Sequence, residues 1–187
     1  AETLSGIVIA QLASPGAPVI YGGSPVMTNL KSASAPALIG DVNTHKMDCA
    51  YSQIGKFFGL PTHSYMGLTD SKLIDFQAGA ETSNGIILAA MAGINNVSGP
   101  GMLDCESCQS IEKLIIDNEY CGSAKQFIKE IRKRNDPLEP LKYLTTPGVI
   151  PDPEHTLLWL EEEHFEPSKV IYRDVLPDKP MSGKAVS

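Results

Sequence analysis

Gly16-Ala-Pro-Val-Ile-Tyr-Gly22, Gly59-Leu-Pro-Thr-His-Ser-Tyr-Met-Gly67 and Gly93-Ile-Asn-Asn-Val-Ser-Gly99 are built alike. In each, a helical pattern runs into a glycine, an apolar run of strand length follows, and a second glycine opens a loop of polar residues. The first glycine suits the left-handed position just past a helix. The starts at 16, 59 and 93 are spaced as βα units, which are too long for hairpins. Successive βα units build a parallel sheet whose chemistry sits at the carboxyl ends of the strands. The expected fold class is α/β, with parallel strands forming part of a TIM (β/α)8 barrel.

Around these runs the periodicity predicts four helices. Glu2 to Ala13 places Leu4, Ile7, Val8 and Leu12 on one stripe. A second helix is expected from roughly Pro36 to Phe58, and a third from a cap at Asp70-Ser71 to Ala92. A fourth is expected from about Glu106 to Lys133, with a bend near Cys121-Gly122. The strands between them read as Val19 to Tyr21, Thr62 to Met66 and Asn95 to Ser98. After Asn135 the prolines at 137, 140, 147, 151 and 153 break the pattern, and only His155 to Glu163 reads as helix. The expected organisation is therefore residues 1–135 as βα units and 136–187 as an irregular segment with a short helix, ending in an extended tail. The chain begins at Ala1 inside a helical pattern, and three clear βα units fall short of the eight strands of a closed barrel. A piece of a larger barrel is expected.

The 187 residues are 42% hydrophobic and 20% charged, long enough to bury a core. A formal net charge of −7 argues against broad binding to a phosphate backbone, which needs a basic face. The one dense basic cluster, Arg132-Lys133-Arg134, lies where a helical pattern ends and complements its dipole. No apolar stretch approaches the ~20 residues of a membrane span, and no signal peptide is expected. Four cysteines in a chain of this length are not a disulfide framework and point to a reducing cytoplasm.

Among local constellations, Ser98-Gly-Pro-Gly-Met-Leu-Asp104 stands apart. Its glycines permit close backbone approach, either for a tight turn or for a ligand surface. It is neither a P-loop nor a dinucleotide fingerprint. Cys105, Cys108 and Cys121 approximate zinc-ligand spacing, but Cys105 and Cys108 fall where a helix is expected to begin and no fourth ligand lies near, so no metal is expected. Cys49 reads as core. His45, His63, His155 and His164 form no HxxxH pattern and default to structural roles, with His63 placed to face a barrel interior. Asp70, Asp104 and Glu106 all follow strands and would ring one mouth, with Tyr21, Tyr65, Met66 and Met102 at the same level. Aromatic faces beside carboxylates suit a quaternary or protonated amine, through cation–π attraction and a charge partner. Asp70 also reads as a helix cap, and the tyrosines as strand-end packing.

Five stretches carry a family resemblance: Pro18-Val-Ile-Tyr-Gly-Gly-Ser-Pro25, Met47-Asp-Cys-Ala-Tyr-Ser-Gln-Ile-Gly55, Tyr65-Met-Gly-Leu-Thr-Asp-Ser-Lys72, Asp75-Phe-Gln-Ala-Gly79 and Ser98-Gly-Pro-Gly-Met-Leu-Asp104. In this order they resemble the trimethylamine methyltransferase family, which includes glycine betaine:corrinoid methyltransferases. The resemblance runs from Ala1 to about Ile131 and weakens through His155-Thr-Leu and Arg173. It implies the C-terminal portion of a TIM barrel, three to four βα units of it. It further implies methyl transfer from a methylated amine to the cobalt of a corrinoid (cobalamin) carried by a partner protein and not held tightly by this chain. On that reading Asp104 and Asp70 are catalytic. Tyr21, Tyr65, Met66, Met102, Glu106 and His155 contact the substrate, and Gly23, Gly67, Gly99 and Gly101 approach the corrinoid. Family members acting on trimethylamine carry pyrrolysine, which this sequence does not show, so a betaine-like quaternary amine is the expected substrate. A homo-oligomer is expected, with no nucleic acid or membrane partner. The competing readings are a trimethylamine methyltransferase, a non-catalytic fragment or binding module, and an unrelated barrel enzyme such as an aldolase. The last lacks a strand-end lysine or a phosphate loop.

Overall fold

The computed structural model describes residues 1–32, 37–132, 157, 159–160 and 162–171. In chain order its elements are α1 (Glu2–Ala13), β1 (Tyr21–Gly22), β2 (Met27–Thr28), β3 (Ala37–Leu38), α2 (Val42–Phe57), β4 (Thr62–Ser64), α3 (Phe76–Met91), β5 (Asn96–Val97), β6 (Met102–Leu103), β7 (Cys108–Gln109) and α4 (Ile111–Phe127). The glycines that end α1, α2 and α3, at 16, 59 and 93, have φ of +82°, +68° and +66°, the left-handed geometry expected there. The chain is α/β, with β1, β4 and β5 forming one parallel sheet in the order β1-β4-β5. The register pairs Tyr21 with Thr62, Gly22 with His63, His63 with Asn96, and Ser64 with Val97.

Two antiparallel pairs correct the helix starts read from sequence. Ala37-Leu38 pairs with Met27-Thr28, so α2 begins later than Pro36, capped by Asp41, whose carboxylate accepts from the Asn43 amide at 2.8 Å. Met102-Leu103 pairs with Cys108-Gln109, so α4 starts after Ser110 rather than at Glu106. The Ser110 hydroxyl accepts from the Lys113 amide at 3.2 Å. Cys105 and Cys108 thus lie in a hairpin and not at a helix start. The cap of α3 is Asp75, bonded to the Ala78 amide at 2.9 Å, and not Asp70. Helix α4 continues through Cys121-Gly122, where Gly122 makes room for the Phe165 ring. Arg132 lies beyond the end of α4 and bonds Glu162 at 2.6 Å.

Burial alternates along β4 and its extension. Thr62, Ser64 and Met66 are buried, whereas His63 and Tyr65 are half-buried. The buried set faces the helices: Ser52 of α2 bonds Thr62 at 3.2 Å, and Met66 packs with Ala89 and Ile94. Gly85 of α3 lies against the Met66 carbonyl so closely that a Cβ would collide with it. Helix α1 buries none of its residues, and Leu4, Val8 and Leu12 of its expected stripe are exposed. Segment 162–171 lies along α4, with the Ser168 amide donating to Glu119 at 3.0 Å and Gln126 to the Glu163 carbonyl at 2.8 Å. Of the expected 155–163 helix, residues 157, 159, 160, 162 and 163 are helical. His155, the proline-broken segment 136–154 and Arg173 lie outside the described residues. No described helix is long and apolar enough to cross a membrane.

Candidate functional site

The loops that follow the parallel strands are stitched to one another, and a single carboxylate sits at their junction. Asp70, in the loop after β4, accepts at one oxygen from the amides of Ile39 and Gly40 at 2.9 and 3.0 Å. The same oxygen lies 3.2 Å from the Cys105 sulfur, in the turn between β6 and β7. That sulfur is also 3.2 Å from the Ala37 carbonyl. From behind, Glu81 of α3 accepts from the Asp70 amide at 2.8 Å, the Thr69 hydroxyl at 2.6 Å and Gln77 at 2.8 Å. Backbone bonds add to the stitching: Asp104 N–H to Ser71 O at 2.9 Å, and Gly67 N–H to Ser98 O at 3.0 Å.

The β6–β7 turn is unusual in its backbone. Asp104, Cys105 and Glu106 have φ of +50°, +51° and +73° in succession. A non-glycine residue in this region costs roughly 1–2 kcal/mol, so three in a row form a strained left-handed turn that its surroundings must hold. The Asp104 carboxylate is part-exposed, 3.8 Å from the exposed Lys72 ammonium, and Glu106 is exposed. Burial, reinforced by the Asp70 carboxylate, pushes the Cys105 thiol up to about 12. It therefore stays protonated and serves as a donor, not as a nucleophile.

Beneath this junction lies a buried ion pair that the sequence reading missed. Lys113 and Asp117, one turn apart on α4, are each 1% exposed and bonded to each other. Lys113 also donates to the Thr82 hydroxyl of α3 at 2.9 Å, and Asp117 accepts from the Gly101 amide at 2.7 Å. The pair joins α3, α4 and the Gly99–Gly101 loop. Burial raises the Asp117 carboxyl above its ordinary value despite those two partners. The Lys-x-x-x-Asp spacing was the available signal.

The substrate-contact residues expected from sequence divide between the two faces of the sheet. Tyr65 stands edge-on to His63, ring centres 5.0 Å apart, on the face away from the helices. His63 bonds Ser98 at 2.8 Å on the same face. Met66 is fully buried on the helical face, and Tyr21 turns toward α2, its ring centre 4.7 Å from that of Tyr51 with the planes tilted by 40°, and pressed against Gly55. The structure therefore does not bring Tyr21 and Met66 together with Tyr65. Met102 is half-buried in β6, on the strand that leads into the Asp104 turn. Each glycine expected to approach a cofactor has an occupant within the chain. A Cβ on Gly23 would lie 2.6 Å from the Tyr51 hydroxyl, on Gly67 2.8 Å from Pro100 Cδ, and on Gly99 2.8 Å from the Gly67 carbonyl carbon. On Gly101 it would strike the Gln109 amide group.

All four cysteines are free thiols, and among the described residues no group of three or more His, Cys, Asp or Glu side chains is placed to hold a metal ion. The helical layer does hold unpaired polar atoms. His45 and Asp48 of α2 are 1% and 4% exposed, and both His45 nitrogens, one Asp48 oxygen and the Ser64 hydroxyl lack hydrogen-bond partners. Burial holds the His45 imidazole below its ordinary value, against the pull of Glu81, Asp41 and Asp70. Burial raises Asp48 to about 6; the Ser64 hydroxyl beside it pulls the other way without reaching hydrogen-bond geometry.

A profile of the trimethylamine methyltransferase (MTTB) family matches residues 1–169. The chain is 39% identical over 131 residues to trimethylamine methyltransferase MttB of Methanosarcina barkeri (strain Fusaro / DSM 804), covering 70% of this chain and 26% of that protein. It is 37% identical over 130 residues to glycine betaine methyltransferase of Desulfitobacterium hafniense (strain Y51), covering 69% and 27%. A match to trimethylamine methyltransferase MttB of Desulfitobacterium hafniense (strain DSM 10664 / DCB-2) extends over 176 residues at 29% identity, 93% of this chain and 35% of that protein. The chain thus spans about a quarter to a third of the length of these relatives. With all but its last 18 residues inside the family profile, the chain belongs to the trimethylamine methyltransferase family.

Proposed function

We propose that this chain is part of a corrinoid-dependent methyltransferase that takes a methyl group from a quaternary amine such as a betaine. The observation that carries the reading is the family match over residues 1–169. The geometry supports it: Asp70 and Asp104 both lie in loops at the carboxyl ends of parallel strands, where barrel chemistry is carried. Residues 1–135 are an arc of a (β/α)8 barrel, and 136–187 an irregular C-terminal segment with a short helix. An arc explains why α1 buries none of its residues, since a neighbouring unit would cover its apolar side. The barrel's remaining strands, in a homo-oligomeric full-length protein, would complete the mouth.

On this reading the chain's own residues bind and orient rather than attack. Asp104 and Glu106 set a negative rim for a methylammonium cation, and Tyr65 offers a ring face to it. Breaking the C–N bond of a quaternary nitrogen leaves its electron pair on a neutral tertiary amine, so no proton donor is required. The corrinoid of a partner protein supplies the nucleophile that accepts the methyl. No residue is assigned to that group, because the strand-end glycines are filled by Tyr51, Pro100, Gly67 and Gln109 rather than open to a macrocycle. Relatives named for both donors match this chain, glycine betaine methyltransferase at 37% identity and trimethylamine methyltransferase MttB at 39%, and the betaine donor is preferred on the chemistry of the leaving group.

The test uses the full-length polypeptide with cob(I)alamin and a panel of N-methyl compounds, following loss of the Co(I) absorbance. Loss with glycine betaine or its relatives is expected. Loss with trimethylamine alone overturns the substrate class, and no loss with any amine overturns the methyltransferase reading.

A further inference from the structure

We propose that the contact between Asp70 and Cys105 is a clasp that holds the Asp104–Glu106 turn in its left-handed form. Asp70 and Cys105 are then positioning residues for the two rim carboxylates. The role given to those carboxylates rests on the function proposed above; the clasp itself does not.

Cys105 is the middle residue of three with positive φ, so its side chain points where a right-handed turn would not send it. There the sulfur meets two acceptors on two other segments, Asp70 Oδ1 and the Ala37 carbonyl, each at 3.2 Å. Asp70 cannot swing away to relieve the turn, because the same oxygen is held by the Ile39 and Gly40 amides and its own amide by Glu81. Backbone bonds from Asp104 to Ser71 at 2.9 Å and from Cys105 to Thr69 at 3.3 Å tether the turn to the same loop. The Asp70 oxygen at the clasp already has three donors, and burial keeps the thiol protonated. The part-exposed groups are the neighbours that the turn presents, Asp104 and Glu106. Asp70, expected from sequence to be catalytic, thereby becomes the anchor of the carboxylates that face the mouth.

Two measurements on the full-length protein test this. The first reads the clasp without any activity: iodoacetamide labelling at about pH 8.5, followed by peptide mass mapping, with exposed Cys108 as the reference thiol in the same sample. Asp70→Asn removes a charge that, after burial, helps keep Cys105 protonated, so labelling of Cys105 should rise relative to Cys108, by about tenfold for each unit that the thiol falls. Unchanged labelling relative to Cys108 overturns the clasp. The second measurement is methyl transfer. Asp70→Asn and Cys105→Ala should each lower kcat/KM about 10- to 100-fold, the cost of a misplaced binding group. The double variant should be no worse than the worse single one. Cys105→Ser, which keeps a donor, should recover most of the loss, whereas a residue that only fills space would be replaced as well by alanine. Additive losses, or serine no better than alanine, overturn the positioning role while leaving the methyltransferase reading intact. If the wild-type protein transfers no methyl at all, that reading falls and the labelling result alone decides the clasp.

Discussion

Replacing Asp48 by asparagine should stabilise the protein at alkaline pH and flatten the dependence of stability on pH. Asp48 is 4% exposed on the sheet-facing side of α2, with one carboxylate oxygen unpaired. Its folded-state value is raised from 3.8 to about 6, chiefly by burial. A raised carboxyl favours the protonated fold, so its stabilising contribution is complete below about pH 4 and is lost as pH rises through about 6. A shift of about two units corresponds to about 3 kcal/mol, of which about 2 kcal/mol is lost between about pH 4.5 and pH 8. Asparagine matches the carboxyl in shape and cannot ionise. Urea unfolding of both proteins at these two pH values, followed by circular dichroism, gives four stabilities. The variant should gain about 2 kcal/mol on the wild type at pH 8 relative to its position at pH 4.5. An equal difference at both pH values would mean that Asp48 ionises in the fold as freely as in the unfolded chain, and the burial argument would be wrong.

Lys113→Met should destabilise by about 3–5 kcal/mol, because it strands the Asp117 carboxylate in the interior, whereas Lys113→Met with Asp117→Leu should recover most of the loss; urea unfolding of the two variants checks both. Gly85→Ala should cost at least the ~1–3 kcal/mol of an overpacked core, since its methyl would collide with the Met66 carbonyl; a melting temperature within a degree of wild type would refute that close approach. Asp104→Asn should change stability by less than ~0.5 kcal/mol, as its one ion pair is long and exposed, yet lower methyl transfer by the full-length enzyme about tenfold or more. Loss of stability without loss of turnover would place Asp104 outside the site.

What was legible in the sequence is what short-range physics controls. The helix–glycine–strand repeat at 16, 59 and 93 predicted three parallel strands in order, because a left-handed residue past a helix and a strand-length apolar run are properties of a few neighbouring residues. The same repeat located the strand-end loops, and so the neighbourhood of Asp70 and Asp104. What failed depends on partners far away in the chain. Asp70 read as a cap because Asp-Ser before a helix is a local cap signal; its carboxylate instead bonds Ile39 and Gly40, some thirty residues earlier. The start of α4 was set too early because Cys108-Gln109 is claimed by a strand partner at Met102-Leu103. Which face a strand residue takes was equally hidden for Tyr21, since a two-residue strand carries too little alternation to assign it and the contact with Tyr51 and Gly55 decides. The left-handed turn at Asp104–Glu106 is the extreme case. None of its three residues prefers that conformation, and it is held both by the Ser107 amide bonded to the Asp104 carbonyl within the turn and by the bonds that Ser71, Thr69, Asp70 and Ala37 make to it from other segments.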